Sequence, residues 1–362
     1  MKITFVVADA DLSGGCRVIA LHARHLRAMG HHVAVVAPAP WSPSLRQRAR
    51  AWLGRGAWPR SRSPDVSHFE LQGVPVHRLA RRGPVRASDV PEADVLVSTW
   101  WETAVWTAEF ERRRGAKAHF VQGWERHIEG MPAEAVDEAL RLPSHKLVVS
   151  RFLRDVVAQV AGDRDVTLVP NAIDPQQFDG PPRGKQARPT AGLVYATAHA
   201  KGLDVALDAL ARVHAACPSL VVKSFGAEPE RAELPLPSFA SLEVRPAQHR
   251  LAGLYGSADV WLSASRLEGF GLPALEAMAC RTPLVSTRYG GPMDFVRDGE
   301  NGFLVDVDDA AGLAERALQV LRLPEPEWRR MSDAAHATGH TLTWAQSARL
   351  FEKGLVRALE RA

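Results

Sequence analysis

A chain of 362 residues, 46% hydrophobic and 24% charged, has the balance of an ordinary folded protein and room for two domains with a core each. No apolar run approaches the length of a membrane span and no signal peptide precedes the first strand pattern, so a cytoplasmic protein is expected. Three scattered cysteines, Cys16, Cys217 and Cys280, exclude a disulfide framework or a cysteine metal cluster and fit a reducing compartment.

Residues 2–8 (KITFVVA) read as a buried strand, 16–29 as a helix and 33–37 as a second buried strand. In this βαβ unit the first loop, with Gly14 and Gly15, opens at the carboxyl edge of the sheet, where α/β proteins bind ligands. The glycine spacing is not a dinucleotide fingerprint, and a plain tight turn is the competing reading. Asp9 and Asp11 in the same loop read as solvated acids rather than metal ligands.

Residues 41–86 hold ten arginines against Asp65 and Glu70, with Trp41, Trp52 and Trp58 among them. Cations interleaved with tryptophan suit an anionic interface, either lipid head groups at the inner face of a membrane or a phosphorylated acceptor; an arginine-rich surface loop is the plainer alternative. No nucleic-acid partner is expected, because no recognised nucleic-acid motif accompanies the charge. Within the stretch, 74–79 reads as a strand.

Strand 93–99 ends in Trp100-Trp101-Glu102, helix 103–114 follows, and strand 118–121 ends in Gln122-Gly123-Trp124-Glu125. Residues just past strand ends line the cleft of such sheets, so Gln122, Trp124, Glu125 and Trp101 are acceptor-pocket candidates, with packing the rival role for the tryptophans. Strand 147–150, helix 151–160 and strand 166–169 lead into PNAID (170–174) and Phe178, and a proline- and glycine-rich linker spans 180–189.

The second half opens with strand 192–196, Lys201-Gly202 and helix 203–216, then strands at 220–225 and 242–244 around an acidic, proline-rich loop. A short helix, 251–258, carries Tyr255 into the most informative stretch. There, strand 260–262 meets a two-glycine turn, Glu268-Gly269-Phe270-Gly271, then a helix over 273–279 with proline in its first turn, then strand 284–286. This layout turns backbone N–H groups and a helix N-terminus towards an anion. Glu268 and Glu276 flank it at different depths, the second about 5 Å of rise into the helix, so both can accept from hydroxyls of one molecule. Strand 303–305, helix 313–321 and an amphipathic helix over 344–359 complete the chain.

EGFGLPALEAMACRTPLVST (268–287), the following GG and DFVRDGENGFLV (294–305) resemble the donor-site signature of the family 4 retaining glycosyltransferases. Many members of that family carry a histidine where Gln122 falls; its replacement, together with the FVQGWE string, resembles the bacterial surface-polysaccharide and rhamnosyl-type branch. The resemblance implies an α/β GT-B fold: two Rossmann-like domains facing across a cleft, with a C-terminal helix crossing back to the first. The expected boundaries are 1–179 for the acceptor domain, 180–189 for the linker, 190–342 for the nucleotide-sugar domain and 343–362 for the crossing helix.

It further implies a nucleoside-diphosphate sugar as donor, UDP on family frequency with GDP or dTDP open, and no cofactor and no metal. Lys201 is implied to hold the diphosphate, Glu276 the ribose and Glu268 a hydroxyl of the transferred sugar, making Lys201 and Glu268 the catalytic pair. The run Gly269, Phe270, Gly271 and Leu272 would line the donor, and Gly14 and Gly15 would approach its phosphates or the acceptor. One position departs from the pattern: the family arginine five residues before the lysine is Ala196, and His199, Arg266 and Arg288 are the candidate replacements. Two further readings stay open, a nucleotide-sugar epimerase or hydrolase on the same fold and a catalytically silent nucleotide-sugar-binding protein.

Overall fold

The computed structural model describes residues 1–40, 66–128 and 130–362. The tryptophans and most of the arginines of the basic stretch lie outside the described residues. Its described remainder places Arg78 against Glu70 and Arg81 against Asp89.

The chain folds around two parallel sheets. The first contains β1 (Lys2–Val6), β2 (His32–Ala37), β3 (Val76–Arg78), β4 (Val95–Ser98), β5 (Ala116–Val121), β6 (His145–Val148) and β7 (Thr167–Leu168), in the order β3-β2-β1-β4-β5-β6-β7. Its helices are α1 (Gly14–Ala28), α2 (His68–Leu71), α3 (Trp101–Thr107), α4 (Ala133–Arg141) and α5 (Arg151–Ala161). The second sheet has β8 (Thr190–Val194), β9 (Val221–Gly226), β10 (Ala240–Val244), β11 (Val260–Ser263), β12 (Leu284–Thr287) and β13 (Gly302–Val305), ordered β10-β9-β8-β11-β12-β13. Around it lie α6 (Leu203–Ala216), α7 (Leu251–Gly256), α8 (Leu272–Ala279), α9 (Pro292–Phe295), α10 (Ala310–Arg322) and α11 (Glu325–Gly339), and α12 (Trp344–Glu360) ends the chain.

Covered by helices, the central strands are apolar on both faces, as in β4 (VLVS), where every residue is buried. The order reverses between β1 and β4 in one sheet and between β8 and β11 in the other. Crevices at the carboxyl ends of those strand pairs are where a doubly wound fold takes its ligand. Four loops therefore matter most: those after β1, β4, β8 and β11.

The helix expected over 103–114 begins earlier and stops sooner. Thr103 Oγ1 accepts from the N–H groups of Thr99 and Trp100 at 2.9 and 3.0 Å, which starts α3 at Trp101, and only a 3₁₀ turn, Arg112–Arg114, follows it. Helices α4 and α11 were not expected. The buried face of α11 mixes Trp328 and Met331 with Ser332, Thr338 and Gly339, so its apolar period is faint.

Helix α12 packs on the first domain through Phe351 and Leu355, and His22 of α1 sits among Phe120, Trp344 and Phe351 with ring centroids 5.4, 5.5 and 4.6 Å away. The linker is anchored by Arg183, whose guanidinium donates to the Ala258 carbonyl and to Thr282 Oγ1 and lies 4.7 Å over the Trp328 ring. No described helix is long and apolar enough to cross a membrane.

Candidate functional site

The loops after β8 and β11 bring together the two residues the sequence ranked highest. Lys201 ends a short 3₁₀ turn, His199–Lys201, and the chain enters α6 through Gly202 at φ +59°. A side chain at Gly202 would start 1.9 Å from the Ala264 carbonyl oxygen, so the turn can lie against the β11 loop only with glycine there. Across that contact Lys201 Nζ meets Glu268 Oε2 at 2.8 Å, and Ser265 Oγ holds the other oxygen of Glu268. Ser265 was not picked out from the sequence; its position three residues before Glu268, in the same tight loop, was the available signal.

The Gly269-Phe270-Gly271 turn follows and leads into α8. Among the described residues its three amides make no hydrogen bond, so they are available to an incoming acceptor. Gly269 meets the opposite domain: a Cβ there would come 1.8 Å from the Gln122 carbonyl oxygen. Gly15 lies against the Gln122 side-chain amide, 3.7 Å from where its own Cβ would stand. Gly15, Gln122 and Gly269 thus meet at the domain junction, whereas a Cβ at Gly14 would have nothing within 4 Å among the described residues. Leu272, the first residue of α8, is half-buried and packs against the core.

Both oxygens of Glu276 already accept one hydrogen bond each. One oxygen receives Arg17 Nη1 of α1 at 3.0 Å, the other the Tyr255 hydroxyl at 2.9 Å. Burial pushes this carboxyl up, with the Arg17 charge opposing the rise. A carboxylate has about four acceptor sites, so two remain for further donors. Arg17 also donates to Gln177 Oε1 at 3.2 Å and lies over the Phe178 ring. Nothing in the sequence paired Arg17 with a residue 259 positions away, although it sits in the first turn of the helix that opens with Gly14 and Gly15.

Ala196 lines the same cavity as Lys201, Ser265, Glu268 and Pro273, putting a methyl where the resemblance called for an arginine. Of the candidate replacements, Arg266 is committed elsewhere, to Asp204, Asp308 and the His199 carbonyl. Arg288 lies near Asp298 and Asp306 at 3.5 and 3.6 Å, and the His199 side chain is exposed. Tyr289, also missed, is buried beside this turn: its hydroxyl accepts from Ser263 Oγ at 3.1 Å, and a Cβ on Gly271 would lie 2.3 Å from it.

Past β5, Trp124 Nε1 donates to Asp137 Oδ1 at 3.0 Å, so one edge of that ring is fixed to α4. Trp101 Nε1 is buried without a partner among the described residues. The Glu125 carboxyl is tucked against Gly123, and burial pushes it up to about 7. An unfolded glutamate ionises near 4.5, so the stability this carboxyl gives in its protonated form is lost as pH climbs from about 4.5 to about 7, by roughly 3 kcal/mol. Glu125→Gln is expected to gain on the parent across that window and to hold a constant lead above it. Melting curves in which the lead does not grow with pH would remove the buried, protonated Glu125.

Residues 189–322 match the family model for glycosyl transferases group 1. A D-inositol 3-phosphate glycosyltransferase of Arthrobacter sp. is 32% identical over 264 residues, 69% of this chain and 60% of the relative. The chain covers less of three other curated relatives, 23%, 31% and 26% of their lengths. In fold, Anabaena Alr3699/HepE in complex with UDP and glucose superposes with a TM-score of 0.77 at 16% identity, covering 98% of this chain and 99% of that one. A sucrose-phosphate synthase of Thermosynechococcus elongatus gives 0.76 at 18% identity, over 99% of both chains. Residues 189–322 therefore resemble the glycosyl transferases group 1 family, on a chain whose two sheets have the GT-B fold.

Proposed function

We propose that this chain is a retaining glycosyltransferase that moves a sugar from a nucleoside-diphosphate sugar to an acceptor hydroxyl. The observation that carries the reading is the Lys201–Glu268 pair, 2.8 Å apart at the β8/β11 switch point, beside three unbonded amides at the start of α8. As the anomeric C–O bond breaks, negative charge gathers on the departing diphosphate. The Lys201 ammonium and the α8 amides stabilise that charge where it develops, without a metal ion. Glu268 takes a hydroxyl of the transferred sugar and Glu276 the ribose, through the lone pairs that Arg17 and Tyr255 leave open.

In a front-side reaction the departing phosphate oxygen accepts the acceptor's proton on the face it leaves, which demands no protein base. Gln122, Trp124 and Glu125, past the end of β5, and Trp101, which opens α3 past β4, belong to the acceptor side. The named relative works on a phosphorylated polyol, and HepE holds UDP and glucose. A UDP-sugar and a small or saccharide acceptor are therefore the first pair to try.

One observation favours a second reading, a protein that binds the nucleotide sugar without turnover: Lys201 is the one cation among the described residues lining its cavity, where Ala196 stands in place of the expected arginine, and Arg266 is taken by two aspartates. Incubation with UDP-, GDP- and dTDP-sugars and candidate acceptors separates the readings. Acceptor-dependent release of nucleoside diphosphate, with the anomeric configuration kept, is the expected result. Binding without release supports the silent protein, and epimer formation without release an isomerase.

A further inference from the structure

The chain passes between the domains twice, and both crossings lie side by side. Ile173, at the start of the outgoing segment, bridges to Thr343, at the start of the returning helix. Next to that bridge, Asp179 of the outgoing segment faces the end of α11. There His336 and His340 stand one helical turn apart, their ring centroids 4.2 Å from each other. His336 Nε2 is 2.8 Å and His340 Nε2 3.7 Å from Asp179 Oδ1.

His340 has a chemical constraint that an ordinary surface histidine lacks. Its Nδ1 is 2.9 Å from the His336 carbonyl oxygen, which can only accept, so Nδ1 carries the hydrogen. In the neutral ring, Nε2 is then a lone pair. That atom is buried without a hydrogen-bond partner among the described residues, and what it faces is a carboxylate oxygen, another electron-pair donor. A protonated Nε2 would not be satisfied there either, since 3.7 Å is too long for a hydrogen bond.

We propose that Asp179, His336 and His340 form a binding site for a zinc-like divalent cation that clips the interdomain linker to the end of α11. Tetrahedral coordination at zinc–ligand distances places neighbouring donors about 3.3 Å apart. The two oxygen–nitrogen separations bracket that value, and the three donor atoms all lie within 4.8 Å of one another. The carbonyl on His340 Nδ1–H is the kind of outer partner that fixes a metal-bound imidazole. The Arg281 guanidinium nearby is occupied, donating to the Gly180 carbonyl at 2.7 Å and pairing with Asp333, so it does not hold Asp179. Asp179 is largely exposed, which leaves the fourth position open to water. The cation would take no part in sugar transfer; it would tighten the junction through which both crossings run.

The test uses the full chain, stripped with chelator and titrated with Zn²⁺ alone, with Co²⁺ as a spectroscopic substitute. One equivalent should bind, raise the melting temperature and give the visible absorption of low-coordinate Co²⁺. Asp179→Asn and His340→Gln should each weaken binding by at least about 100-fold, the upper end of what loss of an outer partner alone costs. His77→Gln, an exposed histidine on β3, should change nothing. Absence of stoichiometric uptake, or uptake unchanged in both variants, overturns the site. If His340→Gln folds poorly, Asp179→Asn, altered on the surface, decides by itself.

Discussion

Lys201→Ala should lower turnover by about 100- to 1,000-fold, the loss seen when one preorganised group is removed from a site of developing charge. The expectation follows from position. Lys201 closes a turn that Gly202 presses against the β11 loop, so its ammonium is held at the rim of the cavity that Ser265 and Glu268 also line. With Ala196 as its neighbour and Arg266 paired to Asp204 and Asp308, no second cation among the described residues lining this cavity stands ready to take over. Folding should survive, because the side chain is two-fifths exposed and Glu268 keeps its bond from Ser265. The measurement is nucleoside-diphosphate release under saturating donor, alongside a melting curve. A variant that folds normally and turns over near the parent rate means the diphosphate is held somewhere else.

Glu276→Ala should act on two properties at once. Nucleotide affinity should fall by about 1.5–3 kcal/mol, the value of a charge-assisted hydrogen bond, read by calorimetry with UDP or GDP. Stability should fall as well, because the substitution strips the buried Tyr255 hydroxyl of its acceptor and leaves Arg17 facing an apolar gap. An unsatisfied buried hydroxyl alone costs about 1–3 kcal/mol. A melting temperature that drops while UDP and GDP affinities stay level would reduce Glu276 to a strut between the domains and remove it from the donor site.

Much of this architecture was readable in one dimension because its causes are local. The run VLVS at 95–98 must be buried on both faces, and a glycine-rich turn followed by proline starts a helix whatever the rest of the chain does. The signature from 268 to 305 is likewise contiguous, so Glu268 and Glu276 could be named before any coordinate was known, whereas Lys201, outside it, rested on the family resemblance. Helix ends were less legible. Thr103 sets the start of α3 through its hydroxyl, a choice between side-chain and backbone bonding that hydrophobic period does not record.

By itself the sequence determined the two-domain α/β plan, the strand–turn–helix with its two-glycine turn, and alanine at 196 where the resemblance calls for arginine. Only the tertiary structure decided what each charge faces: Arg17 on Glu276 across 259 positions, Arg266 drawn off by Asp204 and Asp308, and Asp179 set against two histidines 157 and 161 residues further on. The physical reason is range. Helix and strand patterns are settled among neighbours a few residues apart, whereas ion pairs and ligand sets form wherever packing brings side chains within a few ångströms, and sequence distance carries no trace of that.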